Sequence, residues 1–240
     1  MFFVPSITET QVFTALRLFL LSILPAGIEV VRAEYNRVPE PKVADFVVMT
    51  ATSRNRLATN IDDYEDVRFT GSIAGTTLTV DSVAYGTIQI GETVFGATVA
   101  ANTSIISQLT GSPSGGVGTY TVSPTQTAAH QLLSCGHNDI TQSTQFDMQL
   151  DVHGPNSGNN AQTITTLFRD AYAAAIFSTN GYSNIAPLYC DDPKQMPFIN
   201  AEQQYELRWV VSAIMQANPI ISVSQQFATL LGPTTIHDVL

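Results

Sequence analysis

The sequence predicts an α+β fold: a mixed or antiparallel sheet with two main helices, plus an inserted all-β module of sandwich or barrel type. Three observations predict it. Apolar residues recur with a helical period from Thr8 to Leu24 and from Asn159 to Thr179, and alternate with a period of two in most other segments. Charge vanishes between Phe69 and Gly136, where there is no Lys or Arg, only Asp81 and Glu92 as acids, and ten of the fifteen glycines. Within that stretch, short β-branched runs sit between Gly and Pro turns at a spacing of roughly 8–12 residues, as in small antiparallel folds. The expected organisation is a discontinuous α+β core, residues 1–68 and 137–240, around a module at 69–136.

The first helix carries the run "LFLLSILPAGI". A membrane-spanning helix needs roughly 20 apolar residues, and this run is about half that, bounded by Arg17 and Glu29. A signal peptide fits poorly as well, since Glu9 precedes the nearest cation and no small-x-small cleavage site follows. The segment therefore reads as a core helix of a soluble protein. Thr8 and Gln11 form a capping box, Val12, Leu16, Phe19, Leu20 and Ile23 share a stripe, and Pro25 ends it. Phe13, Leu18, Leu21 and Leu24 lie off the stripe, so cover on more than one side is expected.

"GIEVVRAEYNRVP" and "ADFVVMTATSRNR" read as two strands around the turn "VPEPK", most simply an antiparallel pair. In the charge-free stretch, "TLTVDSV", "TIQIGETVFG", "TSIISQL" and "GTYTVS" read as strands, with "GSPSGG" turning the chain into the last of them. A phosphate-binding loop would need GK[ST] and a following helix, and neither is present. "STQFDMQLDVHG" alternates as a strand with one wet face. "NNAQTITTLFRDAYAAAIFSTNG" reads as one helix capped by Asn159, with Ile164, Leu167, Phe168, Ala171 and Ala175 on its buried face. "QYELRWVVSAIMQ" then reads as one long strand, and "FATLLGPTTIHDVL" as two more strand-like pieces.

Composition excludes several classes of function. The net charge is −10, and Lys42 and Lys194 are the only lysines, so gripping nucleic acid through its phosphates is not expected. Cys135 and Cys190 are too few for a disulfide framework or a thiolate metal site, and read as two inert thiols. His130, His137, His153 and His237 form no H-E-x-x-H, and no G-x-S-x-G occurs. "HND" at His137 to Asp139 could pair a base with a carboxylate, and Asp191-Asp192 could bind a cation. Turn chemistry is the preferred reading of both. "HGPNSGNN" could bind an anion but reads first as a capped helix start. A hydrolase built on His137, Asp139 or Asp151 is the least favoured reading, and no enzyme activity, cofactor or metal is expected. Arg54 and Arg56, on one side of a strand end, read as ion-pair partners for a neighbouring subunit or segment rather than a substrate clamp.

The blocks "ALRLFLLSILP", "GIEVVRAEYNRVPEP", "DFVVMTATSRNRLATNIDDY", "QFDMQLDVHGPNSGNNAQTITTLFRDAYA" and "QYELRWVVSAIMQANPIISVSQQFATLLG" resemble, in succession, the tail terminator (neck) proteins of tailed bacteriophages. The resemblance covers most of residues 10–66 and 138–235. Residues 69–136 depart from the plainer members and are similar to small β modules of phage structural proteins. The resemblance implies a homo-oligomeric ring, usually a hexamer, in the virion neck, made in the bacterial host cytoplasm and touching no membrane. Such a ring ends tail-tube polymerisation, with the tail-tube protein, the head-completion proteins and the tail-sheath protein as partners. Viral DNA would pass its channel without specific binding, which the acidity suits. Interface candidates are Asn36, Arg37, Arg54, Arg56, Glu206 and Arg208. The module is expected to point outward. The alternative is a virion decoration or binding module that recognises surface glycan or another virion protein through that insertion.

Overall fold

The computed structural model describes residues 4–33, 41, 43–196, 198–199 and 205–225. Asn36, Arg37, all of the "VPEPK" segment but Pro41, His237 and the two strand-like pieces expected after residue 225 lie outside these. In chain order the described elements are α1 (Glu9–Ile23), β1 (Glu29–Arg32), β2 (Phe46–Arg56), β3 (Ile61–Tyr85), β4 (Ser104–Thr110), β5 (Gly118–Thr141), β6 (Thr144–His153), α2 (Ser157–Phe168), α3 (Ala171–Thr179), β7 (Ile185–Cys190), β8 (Lys194–Gln195), β9 (Phe198–Ile199), β10 (Tyr205–Glu206), β11 (Arg208–Ala217) and β12 (Ile220–Ser224). Helices and mixed or antiparallel sheets make this an α+β protein, and no closed barrel forms among the described strands.

The chain divides into two units. The described residues within 5–60 and 142–220 form one, called here the αβ unit, and residues 61–141 with 221–225 form the other, the β unit. The change in composition at residues 69 and 136 falls inside β3 and β5: the charged, exposed arm Ile61–Asp66 pairs with the buried to half-buried arm Gly136–Thr141, and both strands continue into the largely uncharged stretch.

In the αβ unit the sheet order is β1-β2-β6-β11-β7. Phe146, Met148, Leu150 and Val152 of β6 and Val211, Ala213 and Met215 of β11 are buried against the helices. Phe19, Phe168 and Phe177, one from each helix, meet edge-on or tilted with ring centroids 5.6 to 6.5 Å apart. The capping box of α1 is present, with the Thr8 hydroxyl accepting from the Gln11 backbone N–H. Phe13 and Leu24 off the stripe are buried, whereas Leu21 is exposed. No described helix is long and apolar enough to cross a membrane.

Three local expectations are corrected. β1 and β2 run parallel, Glu29 to Arg32 beside Phe46 to Met49; the thirteen residues between them allow a crossover, which a hairpin would not need. The second helix is two helices. Asp170 accepts from the Tyr172 backbone N–H at 2.9 Å and caps α3, and the turn rotates the buried face to Ala173 and Phe177, leaving Ala171 and Ala175 exposed. Asn159 lies inside α2, which begins at Ser157. The long strand of residues 204–216 is interrupted at Leu207, where β10 leaves to pair with β9.

The β unit is a four-stranded sheet ordered β12-β5-β3, with β4 also on β5. The expected short strands "TLTVDSV" and "GTYTVS" are stretches of the long strands β3 and β5, and "GSPSGG" turns β4 antiparallel into β5. Residues 87–96 contribute isolated bridges, Thr93 to Ser104 and Phe95 to Ser134, in place of a strand. β3 doubles back at Gly75, whose φ of +65° suits glycine. There the Thr70 and Ser82 hydroxyls meet at 2.7 Å, and Gly71 lies so close to the Thr79 carbonyl that a Cβ would clash with it. Phe69, Ile73, Leu78, Ile105, Tyr120, Val122, Leu133 and Cys135 fill the interior.

Candidate functional site

Most of the αβ unit's interface candidates are engaged within the chain. Glu9, on the first turn of α1, pairs with both Arg32 of β1 and Arg54 of β2. The Arg32 guanidinium also lies over the Phe13 ring at 4.0 Å, and that of Arg54 over Phe146 at 5.1 Å. One carboxylate thus links α1 to both strands. Arg56 donates through Nε to the Ala58 carbonyl at 2.7 Å and through a terminal nitrogen to Asn60 Oδ1 at 3.0 Å.

On the same sheet, β6 lacks the fully wet face expected of it, because Asp151 and His153 are buried. Their charge and polarity are answered locally. Arg208 Nε donates to Asp151 Oδ1 at 2.9 Å, Gln149 donates to the same carboxylate, His153 Nδ1 lies 2.7 Å from Glu206 Oε1, and the His153 ring stacks on Phe46 at 4.5 Å. Asp151 is a partner for Arg208, not half of a catalytic pair. The helix start "HGPNSGNN" is occupied by the chain's own carboxylate: Asp45 accepts from the Asn156 backbone N–H at 2.9 Å and from its side-chain amide at 2.8 Å. Asp192, beyond β7, accepts from Arg169 at 3.0 Å.

A buried polar cluster lies in the β unit. His137, Asn138 and Asp139 sit in β5, not in a turn. Glu92 is buried among neutral side chains and accepts three hydrogen bonds, from His137 Nδ1 at 2.7 Å, from Cys135 Sγ at 2.9 Å and from the Gln89 backbone N–H at 3.0 Å. With its proton on Nδ1, the His137 ring accepts at Nε2 from the Gln89 side-chain amide at 3.2 Å. Glu92 escaped the sequence reading of chemistry, although one acid in a long uncharged segment was its signal. Asp139 lies 3.8 Å from His137 Nε2 and accepts from the Ser222 hydroxyl. Among the described residues no group of three or more His, Cys, Asp or Glu is placed to hold a metal.

Both cysteines are unpaired and buried. Burial pushes the Cys135 thiol far above its ordinary range, and the neighbouring Glu92 carboxylate pushes it further. This thiol is no nucleophile. The native state keeps the thiol proton at a pH where the unfolded chain has lost it. Stability is therefore complete below the unfolded thiol pKa, about 8.5, and falls as pH rises past it by about 1.4 kcal/mol per unit. Hydrogen exchange in β5, compared at about pH 8 and 9.5, below the tyrosine range, is expected to show that loss in the wild type and not in Cys135→Ala. An equal loss in both would refute the assignment.

In neither constellation does a nucleophile face a base or a cradle of N–H groups stand open: Asp151 is paired with Arg208, and the Glu92 carboxylate accepts from three donors. In comparison with known proteins, residues 92–239, more than half of the chain, match the family of the phage neck terminator protein. No curated protein matches the chain. The match takes in β4, β5, the whole second half of the αβ sheet and both of its later helices. The chain belongs to the phage neck terminator family, which gives it a structural role at the tail and neck of the virion, in assembly with other tail and head proteins.

Proposed function

We propose that the protein forms a closed ring, a hexamer as the resemblance implies, at the head-proximal end of the tail. There it ends tail-tube polymerisation and offers the head-completion proteins a docking surface. The observation that carries this reading is the sheet of the αβ unit. Among the described residues, β7 is paired only with β11, and β2 is paired with β1 only as far as Met49. Following the pairing across the sheet, Ile185 lies level with Ala217, Thr144 and Arg56, and Cys190 with Ala213, Met148 and Ala51. β7 therefore stands at the height of the half of β2 beyond Met49, and runs antiparallel to it. A second copy placed beside the first would continue the sheet head to tail, and a head-to-tail contact that closes makes a ring.

In this arrangement Arg54 and Arg56 lie at the junction. Glu206 and Arg208, held by His153 and Asp151, would meet a neighbouring protein through the part of each side chain that solvent reaches. Asn36 and Arg37 are proposed for the same interface from the sequence alone. We keep residues 1–68 and 137–240 as the ring-forming core and residues 69–136 as an outward module, because an uncharged surface suits the outside better than a channel that must repel DNA. Family membership suggests a non-enzymatic role.

Light scattering on the native protein, alone and with tail-tube protein, tests the reading. A mass near six times 25.9 kDa is expected. A monomer that also leaves tube growth unchanged would overturn it.

A further inference from the structure

The β unit carries a cleft of about 920 Å³, walled by residues 87–92, by β4 and by β12. Ile88 and Ile105 are buried at its base, while Ile90 and Ile106 are half exposed at its mouth. Among the described residues no Lys or Arg lines it. Glu92 and His137 do, and Asp139 stands behind Ser222, which also lines it. The charge it offers is therefore acidic. Nor does an exposed aromatic face among the described residues line it, since Tyr120 is only 1% exposed. Phosphate-bearing ligands would meet like charge, and sugars would lack a ring to stack on.

The backbone beside the cleft points to a ligand. On one side β4 pairs with β5. On the other, Ile105 exchanges hydrogen bonds with residues 91 and 92, donating to the Glu92 carbonyl at 3.0 Å and accepting from the Gly91 N–H at 2.7 Å. Among the described residues, 106–109 make no backbone hydrogen bond beyond β5. This is a sheet edge that begins paired and then opens at the mouth of an aliphatic cleft, flanked by Ile106 and Leu109, each more than half exposed. An unpaired edge is a template for another strand.

We propose that this cleft takes an extended segment of another protein, added as a strand to the outer edge of β4. Its branched aliphatic side chains would pack on Ile90 and Ile106, and a Lys or Arg would reach the acidic side at Asp139. The proposal rests on the β unit alone and stands or falls separately from the ring.

The test is selection from a displayed library of random dodecapeptides on the full-length protein. Expected are peptides with alternating Val, Ile or Thr and one Lys or Arg. Affinity should fall roughly tenfold on Ile106→Asp and on Ile90→Asp, the loss of one buried aliphatic contact, and disappear when alternate peptide positions become Pro. Unchanged hydrogen exchange in β5 shows that each variant is folded. Three outcomes overturn the proposal: no enrichment that depends on Ile106 or Ile90; binding that tolerates Pro throughout; or selection only by a chain lacking residues 226–240, which would make the chain's own C-terminal segment the occupant. Glycan-array binding lost on Ile106→Asp would likewise replace it with a saccharide site.

Discussion

Glu92→Ala is expected to destabilise the β unit by about 3–5 kcal/mol, the cost of leaving buried donors without their acceptor. Three donors lose their acceptor at once: His137 Nδ1–H, the Cys135 thiol and the Gln89 backbone N–H. The first two cannot turn to water, since His137 and Cys135 are buried, whereas Gln89 is exposed. Glu92→Gln separates shape from hydrogen bonding. Its remaining oxygen can still accept from Cys135 and Gln89. Its new NH₂ then faces His137, whose proton moves to Nε2, and the Gln89 amide turns over to accept it. That adjustment should limit the loss to about 1 kcal/mol. The sole tryptophan, Trp209, lies in the αβ unit and cannot report this change. Hydrogen exchange in β5 can, and should accelerate roughly a hundredfold or more for Ala. Equal effects of Ala and Gln would mean that packing, not the hydrogen bonds, holds Glu92 in place.

This network shows where sequence reading stopped. His137 and Asp139 were visible as chemistry-bearing residues, but their neighbour Glu92 is 45 positions from His137, and nothing local announces the pairing. Arg208 and Asp151, 57 positions apart, are the same case. By contrast α1 was legible to its cap, because a capping box and a 3.6-residue stripe are encoded within a few turns. The alternation of β6 gave its buried face correctly, and missed that Asp151 and His153 on the other face find partners from β11 and β10. Asp170 carried the signal of a new helix start, masked by the helix-favouring alanines after it. The β unit was legible as β structure, but "TLTVDSV" was read as a separate strand where it is part of β3, which continues through a corner at Gly75. Parallel pairing of β1 and β2 depends on a long connection and on β6 occupying the other side of β2, both outside any local window.

Joining two copies by disulfides is the most decisive result expected from the ring reading. Counting pairs across the sheet, Asn55 is level with Gln145, Gln216 and Ala186. Sheet continuation would set Asn55 of one copy opposite Ala186 of the next. Directly opposed residues in an antiparallel pair have Cβ atoms about 4.5–5.5 Å apart, close enough for mild oxidation to join them with small backbone adjustment. Both positions are exposed, so cysteines there should leave the fold intact. The native thiols are buried and should stay silent. Asn55→Cys with Ala186→Cys in one chain is expected to give, under non-reducing conditions, a ladder that ends in a closed species with no larger product. Each single variant should stay uncrosslinked, because its cysteine would face Asn55 or Ala186. A like-charged pair, Asn55→Glu with Ala186→Glu, should disperse the ring, whereas Asn55→Lys with Ala186→Glu should keep it. A native ring mass without the ladder would leave the ring standing and move its interface off these strands. A ladder that runs on without closing would mean that the same head-to-tail contact builds a filament, and termination would then need a partner to cap it.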